Sequence, residues 1–243
     1  MRKVYVLGAC RTPIGKMGGV LSPFSAVDLG AIVISEILKR TGIDPKEVDH
    51  AFMGCVIQAG LGQNVARQAC IKAGLPVTTT AETINAVCGS GLDCVNNAAR
   101  MIQTGDADVV IAGGMESMSN APYVLKKARF GYRMGNAEMI DSMVNDALWD
   151  SFNNYHMGIT AENICEEWKI SREQLDEFSA NSQQKAIAAT LEGKFKDEII
   201  PVKIQTKKET IIVDKDESPR AGTTSDTLKK LKPAFKADGV VTA

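Results

Sequence analysis

Ile84-Asn85-Ala86-Val87-Cys88-Gly89-Ser90-Gly91-Leu92 joins an apolar, strand-like approach to a helix-like segment through a turn crowded with small residues. A thiol at such a junction faces the unpaired N–H groups of the helix start and the positive end of its dipole. Both favour the thiolate, which is the nucleophilic form of cysteine. Gly89 and Gly91 bring no bulk, so a carbonyl group can approach the backbone closely. The stretch therefore predicts a strand-turn-helix unit carrying a nucleophile for covalent acyl transfer through sulfur. Cys10, Cys55, Cys70, Cys94 and Cys165 lack this setting and read as inert buried thiols.

Working outward, the first half of the chain alternates strand and helix patterns. Residues 4–7 read as a first strand and 25–40 as a helix, with Val27, Ile34, Ile37 and Leu38 on one face and Gly42 just beyond its end. Residues 51–57 form a second strand. Asn64 caps a helix running to residue 73, closed by Gly74 and Pro76. Residues 80–87 give a third strand, 89–103 the helix after the cysteine, and 108–114 a buried strand ending in a glycine pair. This order predicts an α/β fold with a mainly parallel sheet flanked by helices.

After about residue 119 the texture changes. Residues 120–134 are basic with little periodicity, and 160–169 and 171–192 read as amphipathic helices. Ser171 and Gln174 have the spacing of a capping box. Residues 194–213 suggest short strands, with Pro201 unsuited to a central one. A boundary is expected near 117–121. At the end, residues 237–243 read as a turn running into a strand without a capping element, the expectation for a fragment.

Composition narrows the function classes. The chain has 243 residues, a net charge of -1, 44% apolar and 23% charged residues. Such a balance gives no reason to expect nucleic acid or an anionic membrane as partner. No stretch approaches the roughly 18 uncharged apolar residues of a membrane span. The basic-then-apolar start is too short for a signal peptide and is interrupted by Arg11, so it reads as the first strand. Six cysteines without a C-x-x-C pair, beside two histidines, predict no metal site and reduced thiols in a cytoplasmic protein.

The run around Cys88, with Asn85 ahead of it and Gly-Ser-Gly behind it, resembles the nucleophile motif of the thiolase family. Cys94 stands where that family usually has alanine, serine, threonine or glycine, a change read as packing. Cys10-Arg11-Thr12-Pro13-Ile14-Gly15 resembles the family's opening segment, and Gln58-Ala59-Gly60-Leu61-Gly62-Gln63-Asn64 with Ala66-Arg67-Gln68-Ala69 its next loop and helix. Gly105-Asp106-Ala107-Asp108, leading to Ala112-Gly113-Gly114-Met115-Glu116-Ser117-Met118-Ser119, is similar to a further signature. Tyr155-His156-Met157-Gly158-Ile159-Thr160-Ala161-Glu162-Asn163 resembles the substrate loop of the biosynthetic branch. So do Leu148, Asp216-Glu217-Ser218-Pro219-Arg220 and Lys232-Pro233-Ala234-Phe235.

The resemblance implies the first half of an αβαβα sandwich with an inserted loop domain. Residues 1–118 would be the N-terminal thiolase core half and 119–243 the CoA-binding loop domain, with the chain truncated before the second half. That half would supply an activating histidine and a second cysteine, so the fragment alone is expected to be inactive. The implied reaction is acetyl-CoA C-acetyltransfer, in which two acetyl-CoA give acetoacetyl-CoA and CoA reversibly through an acetyl-Cys88 intermediate. The Cys88 N–H is expected to contribute to an oxyanion hole. Leu148, His156, Met157, Arg220 and Phe235 would bind substrate: His156 and Met157 at the pantetheine and acyl end, Arg220 at the nucleotide. His156 as general base is the lesser reading, and His50 reads as a packed or surface residue. No cofactor is implied, since CoA thioesters are substrates. A homo-oligomer, dimer or tetramer, is implied, with 120–145 as a tetramerisation loop. A degradative 3-ketoacyl-CoA thiolase and a non-catalytic CoA-binding or oligomerisation module stay open as alternatives.

Overall fold

A computed structural model describes residues 1–242. They form two compact units, 1–143 with 197–217 and 144–196 with 218–242.

The first unit is built on three parallel strands, β1 (His50–Gly54), β2 (Thr80–Ile84) and β3 (Val110–Gly114), in the order β2-β1-β3. The register pairs Ala51 with Ala81 on one side and with Ile111 on the other. All five residues of the central β1 are buried. Its alternating side chains feed two apolar layers, as the two-residue period of a strand requires. On one face Ala51 and Met53 meet α1 (Ala26–Thr41) and α2 (Val65–Lys72) through Ile34, Leu38, Val65, Ala69 and Cys70. On the other, Phe52 packs with Cys94 and Ala98 of α3 (Ser90–Thr104). Cys94 is fully buried there, in keeping with a packing role.

Helix boundaries follow from local chemistry. Ser25 and Asp28 form a reciprocal capping box at the start of α1, and Gly42 in the left-handed region closes it. Asn64 caps α2 by accepting from the Arg67 N–H. The N-terminal segment departs from expectation. Residues 4–7 join no ladder, and Tyr5, Val6 and Leu7 are exposed. Together with α1 and β3 they line a cavity of about 570 Å³, and no strand pairs with them.

From Arg11 onward the chain is anchored. Its guanidinium forks onto Asp216 at 2.7 and 3.0 Å and reaches Glu198 at 2.6 Å. Asp216 also accepts the Ile14 N–H, and Glu217 accepts those of Lys16 and Val20. The same unit holds two small antiparallel pairs. One joins β4 (Tyr123–Val124) to β5 (Ile140–Asp141); the other is the hairpin that later residues 202–213 form.

In the second unit, a single π-turn (Val144–Leu148) leads into a short hairpin, β6 (Trp149–Asp150) and β7 (Tyr155–His156). Helices α4 (Met157–Trp168) and α5 (Arg172–Leu191) follow, the second opened by the expected Ser171/Gln174 capping box. Arg172 pairs with buried Asp176 at 2.9 Å and donates to the Leu228 and Leu231 carbonyls. It thereby ties α5 to the short α6 (Ser225–Leu228). In the first unit β8 (Val202–Gln205) and β9 (Thr210–Val213) form the hairpin noted above, and Pro201 stands just outside its first strand. The expected strand at the end of the chain does not form over 240–242. Backbone N–H groups there bond to a carboxylate instead of a neighbouring strand; residue 243 lies outside the described residues.

Candidate functional site

β2 ends at Ile84, three residues earlier than its apolar pattern suggests, because 85–89 turn tightly. Val87 has φ 52°, a left-handed conformation that β-branched residues rarely adopt. Two side chains hold it there. Asn85 Oδ1 accepts the Val87 N–H at 3.0 Å, while Ser90 Oγ accepts from Ala86 N at 2.9 Å and donates to the Val87 carbonyl at 2.6 Å. Ser90 is buried beneath the turn, while Asn85, Ala86 and Val87 are exposed. The turn delivers Cys88 just ahead of the N-cap, Gly89, and it is the one exposed cysteine among the described residues.

Glycines make the approach possible. The start of α3 lies over the carboxyl ends of β1 and β3. A Cβ on Gly54 would stand 2.7 Å from Ser90 Cβ, and one on Gly114 would stand 3.6 Å from Gly91 Cα. The chain leaves β1 for β2 on one side and reaches β3 on the other, so Cys88 sits where open α/β sheets place their ligands.

The other thiols are buried or half-buried. Burial, reinforced by the Glu116 carboxylate, pushes Cys55 up to about 12. Burial alone lifts Cys70 to about 11 against the pull of Arg67. Cys10, Cys94 and Cys165 are raised too, in each case chiefly by burial. Glu116 has a bracing function that its motif did not disclose: it accepts the N–H groups of Val56 and Ile57 at 2.8 and 3.1 Å. The large cavity of this unit is lined by 4–12, α1 and β3, and Cys88 is not in its wall.

In the second unit, four of the five expected substrate residues gather around the β6–β7 hairpin and the start of α4. Leu148 is half-buried and immediately precedes Trp149, which pairs with His156 across the hairpin. His156 caps α4: its Nδ1 accepts the Gly158 N–H at 3.0 Å. That bond commits the Nδ1 lone pair and assigns the proton of the neutral ring to Nε2. His156 is thus set to donate, and geometry disfavours the general-base reading. Phe235 stacks on its ring, centroids 5.0 Å apart and planes 16° apart. A Cβ on Gly158 would overlap the Phe235 ring, which explains the glycine. Met157 is exposed beside them.

Arg220 stands apart from this group. It is exposed, its N–H donates to Gln183 of α5 at 2.7 Å, and its carbonyl receives the Thr223 hydroxyl at 3.0 Å. A shallow apolar hollow with Ile187 and Leu191 adjoins it. Within its motif the structure divides the labour, since Asp216 and Glu217 brace the 11–20 loop. His50, the other histidine, is buried with Nδ1 2.6 Å from Thr80 Oγ1, and burial lowers its pKa.

Among the described residues no helix is long and apolar enough to cross a membrane. Comparison with known proteins agrees with this architecture. The model of the thiolase N-terminal domain matches residues 4–243. An acetyl-CoA acetyltransferase of Pseudomonas aeruginosa is 54% identical over all of this chain and 62% of its own length. A probable acetyl-CoA acetyltransferase of Escherichia coli K12 is 50% identical with the same coverage. The crystal structure of the Bacillus anthracis acetyl-CoA acetyltransferase superposes with a TM-score of 0.94 at 41% identity, over 98% of this chain and 60% of that one. The chain thus spans about three fifths of the length of these relatives, and it belongs to the thiolase family, matching its N-terminal domain.

Proposed function

We propose that the chain carries the nucleophile and the CoA-binding part of an acetyl-CoA C-acetyltransferase. The observation that carries this reading is Cys88, an exposed thiol on a clamped, strained turn at the carboxyl ends of a parallel sheet. The names of its relatives support the substrate class. Cys88 Sγ attacks the thioester carbonyl of acetyl-CoA, the C–S bond to CoA breaks, and CoA leaves as its thiol. A second acetyl-CoA loses an α-proton, and its carbanion attacks the acetyl-cysteine to give acetoacetyl-CoA and free Cys88. Splitting the exchange across a covalent intermediate predicts ping-pong kinetics. The Cys88 N–H contributes to the oxyanion hole.

Leu148, Met157, Phe235 and the donating Nε2 of His156 contact the pantetheine and acyl end, and Arg220 the nucleotide. Residues 119–243 take the part of the CoA-binding loop domain in this reading. Of them, 119–143 and 197–217 pack with the first unit. The family reading adds a cytoplasmic homo-oligomer with CoA thioesters as substrates and no cofactor. Neither histidine is a ready base: His50 is buried against Thr80, and His156 Nδ1 is committed to the Gly158 N–H. The 243 residues alone are therefore expected to accept an acetyl group without turning over.

Intact mass after incubation with acetyl-CoA tests this on the wild type and Cys88→Ala. One acetyl group is expected on the wild type and none on the variant, with negligible thiolysis of acetoacetyl-CoA by either. An adduct that survives in Cys88→Ala would overturn the assignment of the nucleophile, and none on folded wild type would overturn the expectation that Cys88 accepts an acetyl group without the activating histidine. Rapid thiolysis would overturn the expectation of no turnover.

A further inference from the structure

Helix α4 carries three attachment points at four-residue spacing, which places them along one stripe. At Gly158 the helix is covered by the Phe235 ring. At Glu162 a buried carboxylate accepts the Val240 N–H at 2.9 and 3.1 Å and the Val241 N–H at 2.9 Å. At Glu166 a carboxylate meets Lys236 at 3.7 Å. The segment that spans them is closed on itself, with Ala234 N donating to the Val241 carbonyl and Gly239 N to that of Lys236.

Glu162 is the unusual member. A buried carboxylate is costly unless its charge is satisfied. Among the described residues no lysine or arginine forms an ion pair with it. Its hydrogen-bonding partners are two consecutive backbone N–H groups, so the conformation of the loop and the burial of the side chain depend on each other. Gly239 completes the fit, because a Cβ there would overlap the Glu162 carboxylate. Phe235, carried by the same closed loop, is the ring that stacks on His156.

We infer that Glu162 is a positioning residue, a latch that seats the 234–241 loop and thereby holds Phe235 against His156 at the pantetheine end of the CoA site. The importance of that wall for the ligand rests on the CoA-binding reading above. The seating of the loop does not. Loss of the latch lets the loop lift, the ring leave the imidazole and the wall open, while the helix and the His156 cap persist.

The chain has two histidines, which makes the test direct. Two-dimensional NMR of the imidazole resonances reports the ring current of Phe235 on His156, with His50 as internal reference. Phe235→Ala defines the unstacked position. Glu162→Ala removes the carboxylate, and Gly239→Ala keeps it but obstructs the loop. Both are expected to move the His156 signals more than halfway to the Phe235→Ala position and leave those of His50 in place. Glu162→Gln, which retains one acceptor oxygen, should move them less.

Coenzyme A titrated against the same proteins should bind about tenfold more weakly to Glu162→Ala and Gly239→Ala, as expected for losing a charge-assisted hydrogen bond. Unmoved His156 signals in a folded variant overturn the latch. Moved signals with unchanged coenzyme A affinity overturn its bearing on the ligand. Wild type that binds no coenzyme A overturns the proposed function and leaves the latch to the histidine spectra. Should Glu162→Ala fail to fold, Gly239→Ala and Glu162→Gln decide the matter.

Discussion

Val87 and Ser90 act on one turn in opposite senses. A β-branched residue in the left-handed region costs on the order of 1–2 kcal/mol. Ser90 offsets that strain by satisfying the Ala86 N–H and the Val87 carbonyl together. Val87→Gly is therefore expected to raise stability by up to about 1 kcal/mol, the relief being partly cancelled by the extra freedom of glycine when unfolded. Ser90→Ala removes the hydroxyl partner of the Ala86 N–H and leaves the Val87 carbonyl with the Ser90 N–H alone, so it should destabilise by about 0.5–1.5 kcal/mol. Urea unfolding midpoints of the two variants against wild type check the signs. If both fall together, the strain assigned to Val87 is wrong. The sequence placed Cys88 at this junction through its small neighbours. The positive φ beside it was not legible, because valine ordinarily signals extended backbone.

At the scale of elements, the seat of α3 on β1 is set by what is missing from Gly54. A methyl group there would meet Ser90 Cβ at 2.7 Å and its carbonyl carbon at 2.9 Å. Both neighbours belong to backbone or to a buried clamp, so neither yields cheaply. Gly54→Ala is expected to cost about 1–3 kcal/mol, as overpacking does, and to slow acetylation of Cys88 by displacing the helix start. Thermal unfolding and the acetylation rate measure both, and a variant normal in each would refute the close approach. Helices were well marked in the sequence because their ends carry local chemistry, as at Ser25, Gly42 and Ser171. Strands were legible where apolar faces on both sides demanded them. Residues 4–7 show the limit, since an apolar run becomes a strand only with an edge beside it, and that edge is a long-range property.

Across the whole molecule, His50 makes stability depend on pH. Burial lowers its pKa in the folded state, partly countered by Glu82, while the unfolded chain titrates near the ordinary value of about 6.5. Below that value the unfolded chain binds the proton first, so the unfolded state is favoured as pH falls. Its contribution is complete above pH ~6.5 and is lost as pH descends from there towards the lower folded value. Unfolding free energy measured from pH 7.5 to 5.5 should decline in wild type and decline less in His50→Gln. Equal slopes would show that burial does not hold the ring neutral.

The sequence by itself determined the family and the alternation of strand and helix, and it marked Cys88 and the residues around His156 as candidates. Each depends on residue type at short spacing, which local sterics and hydrogen bonding impose on any chain carrying it. Tertiary structure alone decided what Asp216, Glu217, Glu116 and Glu162 do. The first two receive the 11–20 loop, the third braces 56–57, and the fourth seats 240–241. A carboxylate reads as solvated charge until the fold brings backbone N–H groups to it from tens or hundreds of residues away, and it is that delivery which converts charge into position.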